Sequence, residues 1–132
     1  MPNLVLVLRT DKPESEIGLF EDGKQIEYEK WLAHRQLAET IHRKIKNILE
    51  SAAPHDRAIG GIVIYKGPGS FTGLRIGMSV ANALAYSLNV PIIAASGDNW
   101  AADGIKQLNS GEFSKPVVPE YGMSATTTTP KK

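Results

Sequence analysis

The sequence predicts a single α/β domain built on a mixed β-sheet, with elements in the order β-β-β-α-β-α-β. Three observations favour this fold class: a solid apolar run near the N-terminus, an Asp-Gly turn between two extended segments, and a later alternation of helical and strand periodicity. We expect the early strands to be antiparallel and the later ones parallel, because a helix between two strands makes a right-handed crossover.

The first three elements are predicted strands. Residues 4–8 form an unbroken run of Leu and Val, the pattern of a strand that is covered on both faces. Residues 17–20 form the second segment, and Asp22-Gly23 then predicts a hairpin. Residues 25–29 alternate polar and apolar side chains, which is typical of an edge strand.

A first helix is predicted over residues 33–52, with Pro54 as the residue that stops it. Its apolar side chains recur at helical spacing and share one stripe. The members of this stripe are Leu37, Ile41, Ile45, Ile48 and Leu49.

The second half of the chain predicts a strand, a helix and a strand in succession. Residues 59–65 form a buried strand and residues 72–88 a helix that Asn89 caps. Residues 91–95 form the final strand. One further helix is predicted over residues 99–108.

The composition excludes several classes of protein. Without Cys there is neither a disulfide framework nor a Cys-based zinc site, and the apolar runs are far shorter than the ~20 residues of a membrane span. A net charge of +1 gives no global field for nucleic acid. No targeting segment is evident, so we expect a cytoplasmic protein.

The end of the chain differs from the rest. We predict that residues 1–108 form the folded lobe, and that residues 109–132, which carry little apolar material, form a partly disordered tail. Residues 116–121 are the part of this tail that we expect to pack.

The run of residues 67–77 joins a buried strand to a helix through glycines and hydroxyl side chains. Such a junction directs amide N–H groups and a positive helix end at one point, which favours an anion. It is not a P-loop, because Gly73 is followed by Leu74 where that motif needs Lys. A tight turn capped by Ser70 or Thr72 and a loop that contacts a partner are the two open interpretations. The motif comprises Gly67, Pro68, Gly69, Ser70, Phe71, Thr72, Gly73 and Arg75.

Small residues recur every four positions in the second helix, at Gly73, Gly77, Ala81 and Ala85. Glycine inside a helix costs roughly 0.5–1 kcal/mol relative to Ala, so a close contact must compensate. That contact is either with the chain's own sheet or with another helix.

Residues that could carry acid–base or metal chemistry are scattered. His34, His42 and His55 are expected to be solvated, and Asp98 with Asp103 makes an isolated pair. The surroundings of Ser70 also lack the glycine pattern of a nucleophile elbow. We expect no catalytic residue, no metal and no cofactor.

The motif run and the small-residue helix after it, together with residues 33–37 at the start of a long helix, resemble the TsaB (YeaZ) family over residues 4–102. These proteins are the catalytically inert relatives of actin-like, Gcp-type proteins in bacterial synthesis of threonylcarbamoyladenosine (t6A) on transfer RNA. The resemblance implies a single actin-like ATPase lobe, similar to ribonuclease H, from which the second lobe is missing.

One departure from the wider family concerns catalysis. Catalytic actin-like proteins carry an Asp-Thr-Ser type of turn after the first strand, and here Arg9-Thr10-Asp11 is matched to it. A guanidinium cannot ligate Mg²⁺. The resemblance therefore implies a subunit without catalytic activity.

The resemblance also implies partners. Family members pair through the two helices of this lobe with a catalytic TsaD-type paralogue, or with a second copy, and a small TsaE-type ATPase joins the complex. Transfer RNA is contacted at most indirectly, and no membrane is involved. We predict that the interface is formed by Leu37, Ile41, Ile45, Gly73, Gly77, Ala81 and Ala85, although periodicity alone also allows these residues to face the sheet.

Two other functions stay open. The loop of residues 67–73 could serve a phosphate- or nucleotide-binding enzyme. The chain could also be a self-associating, Gcp-like domain related to the glycoproteases.

Overall fold

The computed structural model describes residues 4–33, 36–52 and 59–111. These residues confirm the predicted class and order of elements and add the further helix. In chain order the elements are β1 (Leu4–Arg9), β2 (Glu14–Glu21), β3 (Lys24–Leu32), α1 (Leu37–Ala52), β4 (Gly61–Tyr65), α2 (Phe71–Leu88), β5 (Ile92–Ala95) and α3 (Trp100–Asn109).

The five strands form one sheet in the order β3-β2-β1-β4-β5. β1 pairs antiparallel with β2 and parallel with β4, so Leu6 lies between Leu19 and Ile62. β2 and β3 are antiparallel, whereas β4 and β5 are parallel. The predicted change from antiparallel to parallel pairing is confirmed, with β1 as the central strand.

Helices cover both faces of this sheet. One apolar cluster contains Leu4 and Leu6 from β1 together with residues of α1 and α2, and a second contains Val5 and Val7 together with residues of α3. Successive side chains of a strand point to opposite faces. This is why residues 4–8 of β1 are all apolar: their side chains contribute to both clusters.

Two predicted boundaries are corrected by contacts between distant residues. α1 begins at Leu37 rather than at residue 33, because Ala33 is buried outside the helix and its N–H donates to the carbonyl of Pro13 at 2.8 Å. β3 extends to Leu32 rather than to residue 29, since it pairs along β2 as far as Glu14. His34, Arg35, Pro54 and His55 lie outside the described residues.

The predicted ends of the second helix are confirmed to within one residue. The hydroxyl of Ser70 accepts the N–H of Gly73, as an N-cap does, and α2 starts at Phe71. At the other end Asn89 adopts the left-handed conformation (φ 58°), which Asn tolerates better than most residues.

None of the described helices is long and apolar enough to cross a membrane. Residues 112–132 lie outside the described part of the chain, and the division into a lobe and a tail stays a prediction.

Candidate functional site

The turn after β1 is closed by an ion pair. Arg9 ends the strand, and its Nε donates to Oδ1 of Asp11 at 2.7 Å while its Nη2 donates to Oδ2 at 3.2 Å. The guanidinium also stacks on the ring of Tyr65, with 3.8 Å from Cζ to the ring centroid. Both carboxylate oxygens of Asp11, whose side chain is 6% exposed, are therefore occupied from within the chain.

Arg9 stays charged in this setting. Burial disfavours its cationic form, but the hydrogen bond and the negative charge of Asp11 outweigh that effect, and the pKa of Arg9 is raised. A carboxylate held by a permanent cation is a poor ligand for Mg²⁺. Across residues 4–33, 36–52 and 59–111 there is also no group of three or more His, Asp or Glu that could hold a metal ion.

A second polar pair extends this cluster across the hairpin. The hydroxyl of Tyr28 donates to Oε1 of Glu16 at 2.6 Å, and Glu16 lies opposite Arg9 in the register of β1 and β2. Burial, followed by this hydrogen bond, raises the pKa of Tyr28. The ring of Tyr28 lies over Gly18, where a Cβ atom would come within 2.5 Å of the ring.

The motif loop of residues 67–73 lies against the same turn. The N–H of Ser70 donates to the carbonyl of Asp11 at 3.1 Å, and a Cβ atom on Gly69 would overlap the side chain of Asp11. The hydroxyl of Tyr65 donates to the carbonyl of Pro68 at 3.1 Å. The loop is thus an internal joint, and the amides of Ser70 and Gly73 that could have held a phosphate are bonded within the chain.

The rest of the motif points outward. Thr72 is exposed and is not the cap, and the side chain of Phe71 is 53% exposed. The guanidinium of Arg75 lies 5.4 Å from the centroid of the Phe71 ring. This pair marks the outer surface of the first turns of α2.

The small-residue stripe of α2 faces the chain's own turn and sheet, which is one of the two contacts that its spacing allows. A Cβ atom on Gly73 would overlap the carbonyl oxygen of Thr10, and one on Gly77 would overlap its Oγ1. Thr10 also donates from Oγ1 to the carbonyl of Gly73 at 2.7 Å. Farther along, Ala81 and Ala85 are buried in the core between α2 and the sheet.

The predicted interface residues of α1 are likewise part of the core. Leu37, Ile41 and Ile45 are at most 7% exposed and pack with the leucines of β1. A side chain that is already covered by its own sheet has no area left to bury against a partner. The exposed face of this helix pair is therefore the opposite one.

That opposite face carries an open groove, which we call the outer seam. It encloses about 300 Å³ and is lined by Ala38, His42, Thr72, Arg75, Ile76, Ser79 and Val80. Ile76, Val80 and Leu84 are only partly buried there. The seam thus leaves apolar side chains of both helices within reach of a second molecule.

The other titratable residues that the sequence singled out do not form a site together. His42 is exposed and lines the outer seam, and Asp98 is exposed in the loop before α3. Asp103 lies in the first turn of α3, where a carboxylate stabilises the positive helix end. None of the three is part of the cluster around Arg9.

Sequence reasoning missed the contact of Thr10 with Gly73 and that of Tyr65 with Arg9, each of which joins residues more than fifty positions apart. A partial signal existed for Thr10, because two glycines inside one helix require a close neighbour. Nothing in the sequence identified Tyr65 as the ring beneath Arg9.

A five-stranded mixed sheet with two helices on one face and one on the other defines a single lobe of the actin-like class. YeaZ from Pseudomonas aeruginosa superposes with a TM-score of 0.65 at 28% identity, over 71% of this chain and 44% of that one. Residues 31–119 match the family described as TsaD, tRNA N6-adenosine threonylcarbamoyltransferase. The chain belongs to this family, among its TsaB (YeaZ) members.

The relatives named TsaB are longer than this chain. The protein of Bacillus subtilis (strain 168) is 51% identical over 53 residues, which are 39% of this chain and 22% of that protein. The Escherichia coli K12 protein is 30% identical over 93 residues, which are 70% of this chain and 39% of that protein. Both are named tRNA threonylcarbamoyladenosine biosynthesis protein TsaB, and the chain spans less than half the length of each.

Proposed function

We propose that this chain is a non-catalytic partner subunit for t6A modification of transfer RNA, and that it pairs with a TsaD-type paralogue through the outer seam. The observation that carries the proposal is the seam itself, a groove between two helices in which the apolar side chains of Ile76 and Val80 stay partly exposed. The assignment to t6A modification is based on the relatives named TsaB.

The closed turn supports the non-catalytic role. In a catalytic relative the residue after the first strand would present a carboxylate, whereas here Arg9 presents a cation that is bonded to Asp11. The neighbouring loop is also bonded to this turn through the amide of Ser70. The phosphate- or nucleotide-binding alternative is not favoured, because it needs these same groups to be available for a ligand.

The geometry of the outer seam suits a pair of partner helices. Ala38 and Ala83 are small and exposed, so a facing helix can approach to the usual 8–10 Å between axes. Ile76 and Val80 then supply apolar area at the centre of the contact. A stable interface of this kind buries more than ~1,000 Å². The contact surface must therefore extend beyond the groove, and the exposed ring of Phe71 is available for it.

Pairing through the outer seam makes the contacts of the other partners with this chain indirect. A TsaE-type ATPase would join through the complex rather than through this chain, and transfer RNA would be contacted at most indirectly, since a net charge of +1 gives no strong field for it. The complex would act in the cytoplasm. A second copy of this chain could occupy the seam instead, and that homodimer is an outcome of the test.

Co-elution with a TsaD-type paralogue from the same organism tests the proposal. The full chain and the paralogue are mixed and run by size-exclusion chromatography with light scattering, each protein having first been shown to be folded. Ala83→Arg should abolish co-elution, because it places a charge on the exposed face of α2, one turn beyond the seam residues Ser79 and Val80. The matched control is Ala102→Arg. Ala102 is an exposed residue of α3, away from the seam, and this change should leave pairing intact.

Absence of any complex between the two folded proteins would reject the pairing. Equal loss in the two arginine variants would show that the outer seam is not the contact surface. A stable homodimer that Ala83→Arg dissociates, with no uptake of the paralogue, would assign the surface to self-association instead.

A further inference from the structure

We propose that a cleft at the N-terminal ends of α1 and α2 binds a small monocarboxylate with a short apolar body. The cleft measures about 570 Å³ and opens above the turn between β1 and β2. It is lined by Thr10, Lys12, Pro13, Ser15, Leu32, Ala33, Gln36, Leu37, Ser70, Thr72, Gly73 and Ile76. The site goes beyond the proposed function, which requires no small ligand on this chain.

The floor of the cleft holds an unused hydroxyl. Ser15 is fully buried, and its Oγ has no hydrogen-bond partner among the described residues. The neighbouring hydroxyl of Thr10 is already committed to the carbonyl of Gly73. A buried hydroxyl without a partner is rare and costly, and a bound acceptor would satisfy it.

Two long helices begin at this cleft. α1 has 16 residues and α2 has 18, and each carries a partial positive charge at its N-terminus. Glu39 in the first turn of α1 offsets the charge there, whereas the first turn of α2 holds no acidic residue. The hydroxyls of Ser70 and Thr72 line the same end of α2.

A cation stands at the rim. The ammonium of Lys12 is half-exposed and lies 3.8 Å from Oε2 of Glu16, at the loose limit of an ion pair. The other carboxylate oxygen of Glu16, Oε1, accepts the hydrogen bond from Tyr28. Lys12 is therefore placed to donate to an anion that enters the cleft, next to the two helix ends.

The walls are apolar and define the rest of the ligand. Leu37 of α1 and Ile76 of α2 line the cleft together with Pro13 and Ala33. One lysine and the N-terminus of α2, which no acidic residue offsets, match a single negative charge better than the several charges of a nucleotide. In a carboxylate with a branched three- or four-carbon body, the carboxylate would accept from the Ser15 hydroxyl and the carbon body would pack on the apolar walls.

Nuclear magnetic resonance titration of the full chain, labelled with ¹⁵N, tests the site with sodium isobutyrate as the probe. We expect saturable shifts of the amides of Thr10, Ser15 and Gly73, with a dissociation constant on the order of 1 mM for so small a ligand. Isobutyramide keeps the shape and removes the charge. It should produce no saturable shift at the same concentrations.

Two variants with matched controls identify the contacts. Ser15→Ala and Lys12→Gln should each weaken isobutyrate binding by about tenfold, because each removes a hydrogen bond to a charged group. Ser87→Ala and Lys24→Gln, both exposed and outside the cleft lining, should leave the affinity unchanged. If Ser15→Ala fails to fold, Lys12→Gln still decides the question.

Three results would overturn the proposal. They are the absence of saturable shifts with isobutyrate, equal binding of isobutyramide, and tighter binding of inorganic phosphate than of isobutyrate. Pairing with a TsaD-type protein is measured separately by co-elution, so failure of this site leaves the proposed function untouched.

Discussion

The Oγ1 atom of Thr10 fills the space that a Cβ atom on Gly77 would occupy. Thr10 is held in that place by the hydrogen bond from its Oγ1 to the carbonyl of Gly73, one turn earlier in the helix. α2 thus rests directly on the turn after β1. The joint between residue 10 and residue 77 fixes the position of α2, and with it the outer seam and the cleft.

Gly77→Ala should destabilise the protein. Alanine is the better helix former by about 1 kcal/mol, but its methyl group would overlap Thr10 and force a backbone shift. We expect a net loss of about 1–3 kcal/mol in the free energy of unfolding, measured by urea denaturation followed by circular dichroism.

Ser79→Ala serves as the control for this prediction, since Ser79 is exposed on the same helix and should change stability by less than about 0.5 kcal/mol. Gly77→Ala combined with Thr10→Ala should cost less than the sum of the single changes, because the clashing oxygen is gone. Strict additivity of the two changes would contradict the overlap.

Ala81→Arg should unfold the protein. Ala81 is 1% exposed and faces the sheet, so the substitution buries a cation without a partner. Circular dichroism should show loss of the native signal, whereas Ala83→Arg on the exposed face should retain it. If the Ala81→Arg protein folds normally, the small-residue stripe does not face the sheet.

Arg9→Met should leave the carboxylate of Asp11 buried without its cation. The side chain of Arg9 is 19% exposed, so we expect a cost near the lower end of that for a broken buried pair, about 2–3 kcal/mol. Adding Asp11→Asn removes the orphaned charge and should restore much of the stability. If the double variant is less stable than Arg9→Met alone, the pair is not the source of the loss.

Stability should fall in strongly alkaline solution because of Tyr28. Burial and the bond to Glu16 place its folded-state pKa above its unfolded value, which is about 10. This contribution is complete below about pH 10 and is lost as the pH rises toward the folded-state pKa. Unfolding free energies of the native chain and of Tyr28→Phe, measured between pH 8 and pH 11 by urea denaturation, should converge as the pH rises; a constant difference would contradict the assignment.

Ser15→Ala should raise the stability of the unliganded chain. The change removes a buried hydroxyl without a partner, whose desolvation is otherwise uncompensated, and we expect a gain of about 1 kcal/mol. Thermal and urea unfolding measure it against Ser87→Ala, whose exposed hydroxyl should matter little. A loss of stability would show that the hydroxyl has a partner within the protein.

Much of the fold could be predicted from local pattern. The apolar run of β1, the Asp22-Gly23 turn and the helical stripe of α1 each predicted an element that the structure contains. Residue type alone predicted Asn89 as one cap, and it left Ser70 and Thr72 as the two candidates for the other. These features depend on neighbours within a few positions, where propensity and periodicity act.

The candidate site could be predicted only in part. The matching of Arg9 to the turn of the catalytic relatives predicted a missing carboxylate, but its bonds to Asp11 and its stacking on Tyr65 required the fold. The residues predicted for the interface lie in the core of this lobe, which is the second orientation that their periodicity allows. Periodicity shows that Ala81 and Gly77 share a stripe, but not whether the stripe faces the sheet or a partner.

The sequence by itself determined which segments become strands and helices, and that the turn after β1 lacks its leading acid. Only the tertiary structure decided which face of each helix is buried, because that choice depends on Thr10 meeting Gly77 across sixty-seven positions of the chain. Contacts between such distant residues form only when the whole sheet is assembled, and it is these contacts that leave the outer seam and the cleft open.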